Sequence, residues 1–331
     1  MGATLSWSWS DAGSTFVRPG RVDVHSHFVP EAYRRALGAA GFEMVDGMPV
    51  PGWEAEAHLA LMDRLGIATS LLSVSSPGVH FGDDAAARTL ARQVNEEGKH
   101  VVDAHPGRFG LFGSLPAPDV GGAMDELAFC YDELGVDGIV MLTHAGETYL
   151  GDPTLEPLFE ELNHRHARLF IHPTSPLCWE QTSFGRTRAM VEFLFDTSRA
   201  VVNMVLNGVL ARHPDIEVIV PHAGAALPVI ADRVAAFAFI LQDLDPNADV
   251  YRDRARLHYD LAGFPLPRQL DAILALTTAE HLHYGSDYPF TPEAVVAMLA
   301  EPLDVIAAHS GPVPDTLAAN SRRLFPRLTG G

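Results

Sequence analysis

Histidines and acids of this chain recur where short apolar runs end. Asp23-Val24-His25-Ser26-His27 places two imidazoles two residues apart. In an extended strand residues i and i+2 point to the same face, about 7 Å apart along the chain. Two imidazoles so placed suit a single metal ion. The same spacing also occurs in ordinary core or surface pairs, so H-x-H says little alone. Leu169-Phe170-Ile171-His172-Pro173 puts another imidazole directly after an apolar run, where a polar group needs a partner. Val218-Ile219-Val220-Pro221-His222-Ala223-Gly224 repeats that pattern, and His283-Tyr284-Gly285-Ser286-Asp287-Tyr288-Pro289 ends on a carboxylate. Imidazole and oxygen donors together suit zinc, manganese or iron. That four separate segments each supply such a group weighs more than any one motif.

The elements that must position these groups alternate in kind. Strands are predicted at Val22–His27, Ala68–Ser73, Phe109–Ser114, Gly138–Leu142, Leu169–His172, Glu217–Pro221, Arg256–Asp260 and His281–Gly285. Helical periodicity fills the intervals: Glu54–Leu65, Asp84–His105, Met124–Leu134, Leu155–His166, Arg186–Arg212, Ala226–Leu241, Arg268–Leu276 and Thr291–Ala308. Ile139-Val140-Met141-Leu142 and Val218-Ile219-Val220 are apolar throughout, as parallel strands covered on both faces are. Eight strand–helix units predict an α/β fold, a (β/α)8 TIM barrel, rather than an open sheet. Each candidate group then falls at a strand's C-terminal end, where such barrels keep their active sites. Two Gly- and Pro-containing insertions, Ala39–Trp53 and Pro173–Gly185, are expected over that rim. Residues 1–20 read as a mobile arm and 21–331 as one domain.

Composition narrows the function. The 331 residues carry a formal net charge of −19, which disfavours nucleic acid and anionic membrane as partners. No apolar run has the roughly 18 residues of a membrane span, and the N-terminus lacks the basic and apolar regions of a secretory signal. Cys130 and Cys178 form no disulfide framework, so a cytoplasmic setting is expected. Of the 16 histidines most must be structural. His58, His100, His105, His164, His166 and His213 fall on helical stretches and read as solvated or capping. His144 follows the fourth strand and is a candidate substrate contact.

The order H-x-H, His172-Pro173, His222-Ala223-Gly224 and Tyr284-Gly285-Ser286-Asp287-Tyr288-Pro289-Phe290 resembles the amidohydrolase superfamily. Within it the chain resembles the decarboxylase branch, which includes aminocarboxymuconate-semialdehyde, 6-methylsalicylate and dihydroxybenzoate decarboxylases. The stretches Leu65–Ser70, Ser75–Val79 and Leu150–Pro153 are most similar to the 6-methylsalicylate group. The resemblance spans about Val22 to Phe325. It implies that His25, His27, His172 and Asp287 bind one divalent metal, zinc or manganese. It implies that His222 stands beside the metal and moves protons, and that the protein is a homodimer. Lys99 is the only lysine, and the fourth strand ends Met141-Leu142-Thr143-His144 with no lysine, glutamate or cysteine to bridge a second ion. The aminocarboxymuconate enzymes carry an arginine shortly before the tryptophan of the first insertion; Gly47-Met48-Pro49-Val50-Pro51-Gly52-Trp53 has none. A substrate with one carboxylate therefore fits better than a muconate.

The expected reaction is non-oxidative decarboxylation of a 2-hydroxybenzoate-type acid, with Asp287 or His222 delivering the proton. Trp179 and Phe290 are candidates to sandwich the ring, with ordinary packing as the other reading. Asp260, ending the seventh strand, reads as a helix cap ahead of a partner for a ligand histidine. The rival reactions are hydrolysis of a lactone, ester or amide, and decarboxylation of a muconate semialdehyde.

Overall fold

The computed structural model describes residues 20–242, 244–310 and 313–329. The predicted mobile arm lies outside the described residues, Gly20 excepted. Eight strands form one sheet in sequence order: β1 (Arg21–His27), β2 (Ile67–Ser73), β3 (Phe109–Ser114), β4 (Gly138–Leu142), β5 (Arg168–His172), β6 (Glu217–Val220), β7 (His258–Asp260) and β8 (Leu282–His283). Neighbouring strands pair in parallel. Bridges from Asp23 to Tyr284 and from Ser26 to Tyr288 return the last strand to the first, so the sheet closes as the predicted barrel.

Inside the closure, Val22, Val24, Leu71, Phe112, Val140, Phe170 and Ile219 are buried in one cluster. Outward-facing strand residues pack against the surrounding helices in a larger core that includes Leu72, Leu111, Ile139, Leu169 and Val218. That division is why the strands read as continuous apolar runs. The helices of six or more residues are α1 (Glu31–Ala39), α2 (Ala55–Leu65), α3 (Asp84–Ala104), α4 (Val120–Phe129), α5 (Glu156–His164), α6 (Glu192–Leu206), α7 (Leu227–Leu241), α8 (Val250–Ala255), α9 (Gln269–Leu274), α10 (Glu293–Ser310) and α11 (Val313–Leu324).

Differences from the sequence reading have local causes. The stretch Arg186–Arg212 is not one helix. It begins as a single turn at Arg188–Met190, becomes helical at Glu192 and breaks at Gly208, whose φ of 68° is left-handed. Met124–Leu134 ends in a π-helical turn over Cys130–Leu134. Helices α1, α8 and α11 lie outside the predicted stretches; α1 and α8 are short enough to give few periodic positions.

The first insertion folds as a hairpin pairing Met44–Val45 with Met48–Pro49. It is fastened to the second: the Asp46 carbonyl accepts from Arg188 N at 3.0 Å and Thr187 Oγ1 at 3.1 Å. Ser175 Oγ also donates to the Asp46 carboxylate. The two insertions thus form one cover joined by side-chain and main-chain bonds.

Candidate metal centre

His25 and His27 leave β1 on the same side, as the two-residue spacing requires, and both are fully buried. His172 arrives from the tip of β5. Asp287 comes from the segment beyond β8, which runs back along β1: Val24 N donates to Tyr284 O at 3.0 Å, Asp287 N to His25 O at 2.8 Å and His27 N to Tyr288 O at 2.7 Å. Gly285 allows this approach, since a Cβ there would stand 2.8 Å from His25 Cβ. Asp287 itself is left-handed at φ 57°, a conformation that Asp tolerates better than most residues.

One ligand atom from each of His25, His27, His172 and Asp287 lies within 4.8 Å of the others. His25 Nε2 and His27 Nε2 are 3.2 Å apart, and they lie 3.4 and 3.2 Å from Asp287 Oδ1. Ligands about 2.1 Å from a tetrahedral ion stand roughly 3.4 Å apart, so the spacing fits.

The outer nitrogens fix the direction of the lone pairs. His25 Nδ1 donates to Asp260 Oδ2 at 2.8 Å. His27 Nδ1 lies 2.9 Å from Ser73 Oγ, whose own hydrogen goes to Ser26 O. His172 Nδ1 donates to Pro173 O at 2.8 Å. With a proton held at each Nδ1, all three Nε2 atoms point inward beside a carboxylate, and each offers a lone pair once no second proton sits on it. A divalent cation would take the place of the proton shared between His25 and Asp287. The residues present therefore fit one divalent ion and supply the orienting bonds around it.

Protonation in the ion-free site follows the same geometry. Burial disfavours the charged form of His25, but Asp260 and then Asp287 outweigh it and raise its pKa to about 10. Burial holds His27 and His172 below the usual range, with neighbouring imidazoles adding to the effect at His172. Burial opposes ionisation of Asp287, yet the hydrogen bond from protonated His25, with His27 beside it, holds it well below the carboxylate range. An ion must therefore displace the His25 proton. At pH 7, metal uptake by the apoprotein is expected to release about one proton per site, and the release should fade only above the His25 pKa. Calorimetric titration with manganese in two buffers of different ionisation enthalpy measures this; identical heats in both would contradict it.

His222 occupies a strained turn beyond β6, with φ of 57° at His222 and 51° at Ala223. Its N–H donates to Asp260 Oδ1 at 3.0 Å, and its carbonyl accepts from Gln269 Nε2 at 2.7 Å. The ring centroid lies 5.1 Å from that of His25, and the buried Nδ1 has no protein partner. Burial, then the His25 charge, lowers its pKa, so it is neutral near pH 7.

The remaining candidates divide. Phe290 meets His27 edge to face at 5.5 Å and so belongs to the cluster's surroundings. Trp179 lies in the second insertion with the Arg188 guanidinium 4.1 Å over its ring, so one face is already covered. Both ring nitrogens of His144 face carbonyls, Gly146 O at 2.9 Å and Ser175 O at 3.1 Å, while its ring lines a cavity beside the cluster.

Three readings need correction. Asp260 bonds the His25 ring as well as the His222 and Ala262 amides, so it is not merely a cap. His58 is not solvated: it is 1% exposed and accepts from Trp53 Nε1 at 3.1 Å. Burial lowers its pKa to about 3. His213 is likewise buried and bonded to Glu156 at 2.9 Å. Two contributors were missed. Ser73 orients His27, and Asp23 Oδ1 accepts from His25 N at 3.1 Å and Ser286 N at 3.0 Å. The motif D-x-H-x-H contained Asp23 in plain view; Ser73 needed the β1–β2 register, which pairs it with His27.

Over residues 22–327 the chain matches the amidohydrolase family, and it belongs to that family. It is 32% identical to the 6-methylsalicylic acid decarboxylase of Aspergillus aculeatus over 319 residues, covering 93% of this chain and 96% of that one. A crystal structure of an amidohydrolase II superposes with a TM-score of 0.84 at 32% identity, covering 92% of this chain and 99% of the other. The dihydroxybenzoic acid decarboxylase of Polaromonas sp. JS666, solved with bound manganese and 2-nitroresorcinol, shares the fold at a TM-score of 0.80 and 20% identity, covering 95% and 98% of the two chains.

Proposed function

We propose that this protein is a metal-dependent, non-oxidative decarboxylase of a 2-hydroxybenzoate-type acid, similar to 6-methylsalicylate, that releases CO2 and a phenol. One observation carries the reading: three inward Nε2 atoms and the Asp287 carboxylate converge beside His222, whose buried Nδ1 has no partner. The full-length likeness to a 6-methylsalicylic acid decarboxylase supports it.

His25, His27, His172 and Asp287 would hold one zinc or manganese ion. When bound, that ion supplies positive charge that neutralises and orients a carboxylate and its neighbouring phenolic oxygen. Asp287 is the only one of the four whose side chain is partly open, at 21% exposure, so it faces the incoming acid. Thr291 Oγ1 donates to its Oδ2 at 3.1 Å and fixes the carboxylate plane. Asp287 carries a proton to the ring carbon that bears the carboxylate. As that C–H bond forms, the C–C bond breaks, its electron pair restores the ring, and CO2 leaves. The proton spent in each turnover is replaced from water, with His222 taking it up and relaying it to Asp287. Phe290 and Trp179 bound the ring's space, and His144 lies farther along the same rim.

Residues 21–331 would form the working domain. Among the described residues no helix is long and apolar enough to cross a membrane. With Cys130 and Cys178 both free, this supports a cytoplasmic protein. Val229, Phe237, Phe239, Ile240 and Leu241 are exposed along α7, and this apolar face supports a homodimer.

Manganese-loaded protein is expected to convert 6-methylsalicylate to 3-methylphenol with stoichiometric CO2. Detection of the phenol by chromatography, lost on chelation and restored by metal, checks this. Absence of CO2 from salicylates, resorcylates and muconates alike, with metal confirmed bound, would reject it in favour of hydrolysis.

A further inference from the structure

A cavity of about 130 Å³ opens beside the metal centre on the β2–β5 side of the rim. It starts one residue beyond Ser73, which touches His27, and reaches Thr174, two residues beyond His172. Val74, Leu115, Val140, Met141 and Leu142 form its apolar wall. Among the described residues no aspartate, glutamate, lysine or arginine lines it.

Most polar groups in the wall are already engaged. The ring nitrogens of His144 lie 2.9 and 3.1 Å from Gly146 O and Ser175 O, to one of which its N–H donates, and Thr174 Oγ1 is bonded to Ser76 Oγ at 2.8 Å. His80 is held by Asp84 at 2.8 Å and by the Gly82 amide at 3.2 Å. The main chain of Ser114 is tied to Asn95 in both directions, and the hydroxyls of Ser114 and Thr148 and main-chain groups of the lining loops remain around the space. A hydroxyl or carboxylate placed here would lose water and gain little in return. A hydrocarbon would lose nothing.

Size adds a second constraint. A methyl group fills a small part of this volume. An apolar cavity of about 150 Å³ takes a benzene ring, so this one has room for roughly three to five carbons. We propose that the cavity receives an unbranched alkyl chain of that length on the ring carbon next to the carboxylate. The preferred substrates are then 6-alkyl-2-hydroxybenzoates with chains longer than methyl, and the 6-hydroxy analogue is discriminated against. This proposal rests on the decarboxylase reading for its reaction, and on the cavity alone for its ranking of ligands.

The test uses the manganese-loaded protein and 2-hydroxybenzoates bearing hydrogen, methyl, propyl or pentyl at C6, plus the 6-hydroxy acid. CO2 release gives kcat/KM, and calorimetry gives Kd. Each buried methylene is expected to tighten binding about fourfold, so propyl should exceed methyl by about tenfold or more. Val79→Phe and Leu142→Phe each intrude on the space from a different side. In whichever variant keeps its metal content and Tm, the propyl-over-methyl ratio should fall at least tenfold. Native protein that binds propyl or pentyl tenfold worse than methyl would overturn the proposal, as would a ratio unmoved in both variants. Failure of every acid to release CO2 would instead remove the decarboxylase reading. The calorimetric ranking of the same acids would still decide what the cavity holds.

Discussion

Asp287→Asn is expected to lower kcat by about a thousandfold or more at saturating manganese, since general acid catalysis and a charged ligand are lost together. The substitution is close to isosteric. Asn tolerates the left-handed backbone at this position, whereas Ala would add strain. The amide oxygen can still face His25 and His27, and the Thr291 hydroxyl can still reach the other atom. What disappears is the capacity to take up a proton and give it to carbon. The ion-free carboxylate is held well ionised by the two histidines, so a proton must come to it from another group. His222, with a ring nitrogen that has no partner, is placed to take up a proton from water and pass it on. His222→Asn, which also suits its φ of 57°, should therefore slow turnover less than Asp287→Asn. Stopped-flow or initial-rate kinetics with measured metal content compares them. A kcat within tenfold of native for Asp287→Asn would take the proton from Asp287 and give the role to His222.

The barrel was legible because its strands are buried on both faces. Gly138–Leu142 and Glu217–Val220 were readable as strands from sequence because almost nothing polar interrupts them. The candidate ligands were legible for the opposite reason, as polar groups directly after such runs. Which of the rim histidines join in one cluster came from the family resemblance and not from the residue pattern, because strand tips converge only once the closure of β8 onto β1 is known. Bonds between residues hundreds of positions apart were out of reach for the same cause. Asp23 and Ser286 are an example, and so are Asp260 and His25. Histidines on helices misled in another way. His58 sits on α2, whose exposed neighbours make the segment look amphipathic, but its own position faces Trp53 and Phe109. A polar residue at a core position of a helix cannot be told from a surface one unless the phase of the helix is known.

A substitution outside the ligand set is also expected to weaken metal binding strongly. Asp260 Oδ1 accepts two main-chain amides, from His222 at 3.0 Å and Ala262 at 2.9 Å. Its Oδ2 accepts from His25 Nδ1. In Asp260→Asn the two amides require an oxygen at Oδ1, so the NH2 must take the Oδ2 place and face His25. A donor there needs an acceptor, and Nδ1 becomes one only if the His25 proton moves to Nε2. That proton would then point into the metal site. The variant should therefore bind manganese about 100-fold or more weakly, at the upper end for loss of an orienting partner. Asp260→Ala, which leaves the His25 tautomer free, should bind more tightly than Asp260→Asn although it removes more atoms. Metal titration of both apoproteins by calorimetry decides it. If the alanine variant is the weaker binder, then the anchoring of His222 and Ala262 by Oδ1, which only Asp260→Ala removes, matters more than control of the His25 proton. Equal losses would point to a collapse of the turn beyond β6. That turn's strained His222 and Ala223 are held at one end by the same carboxylate.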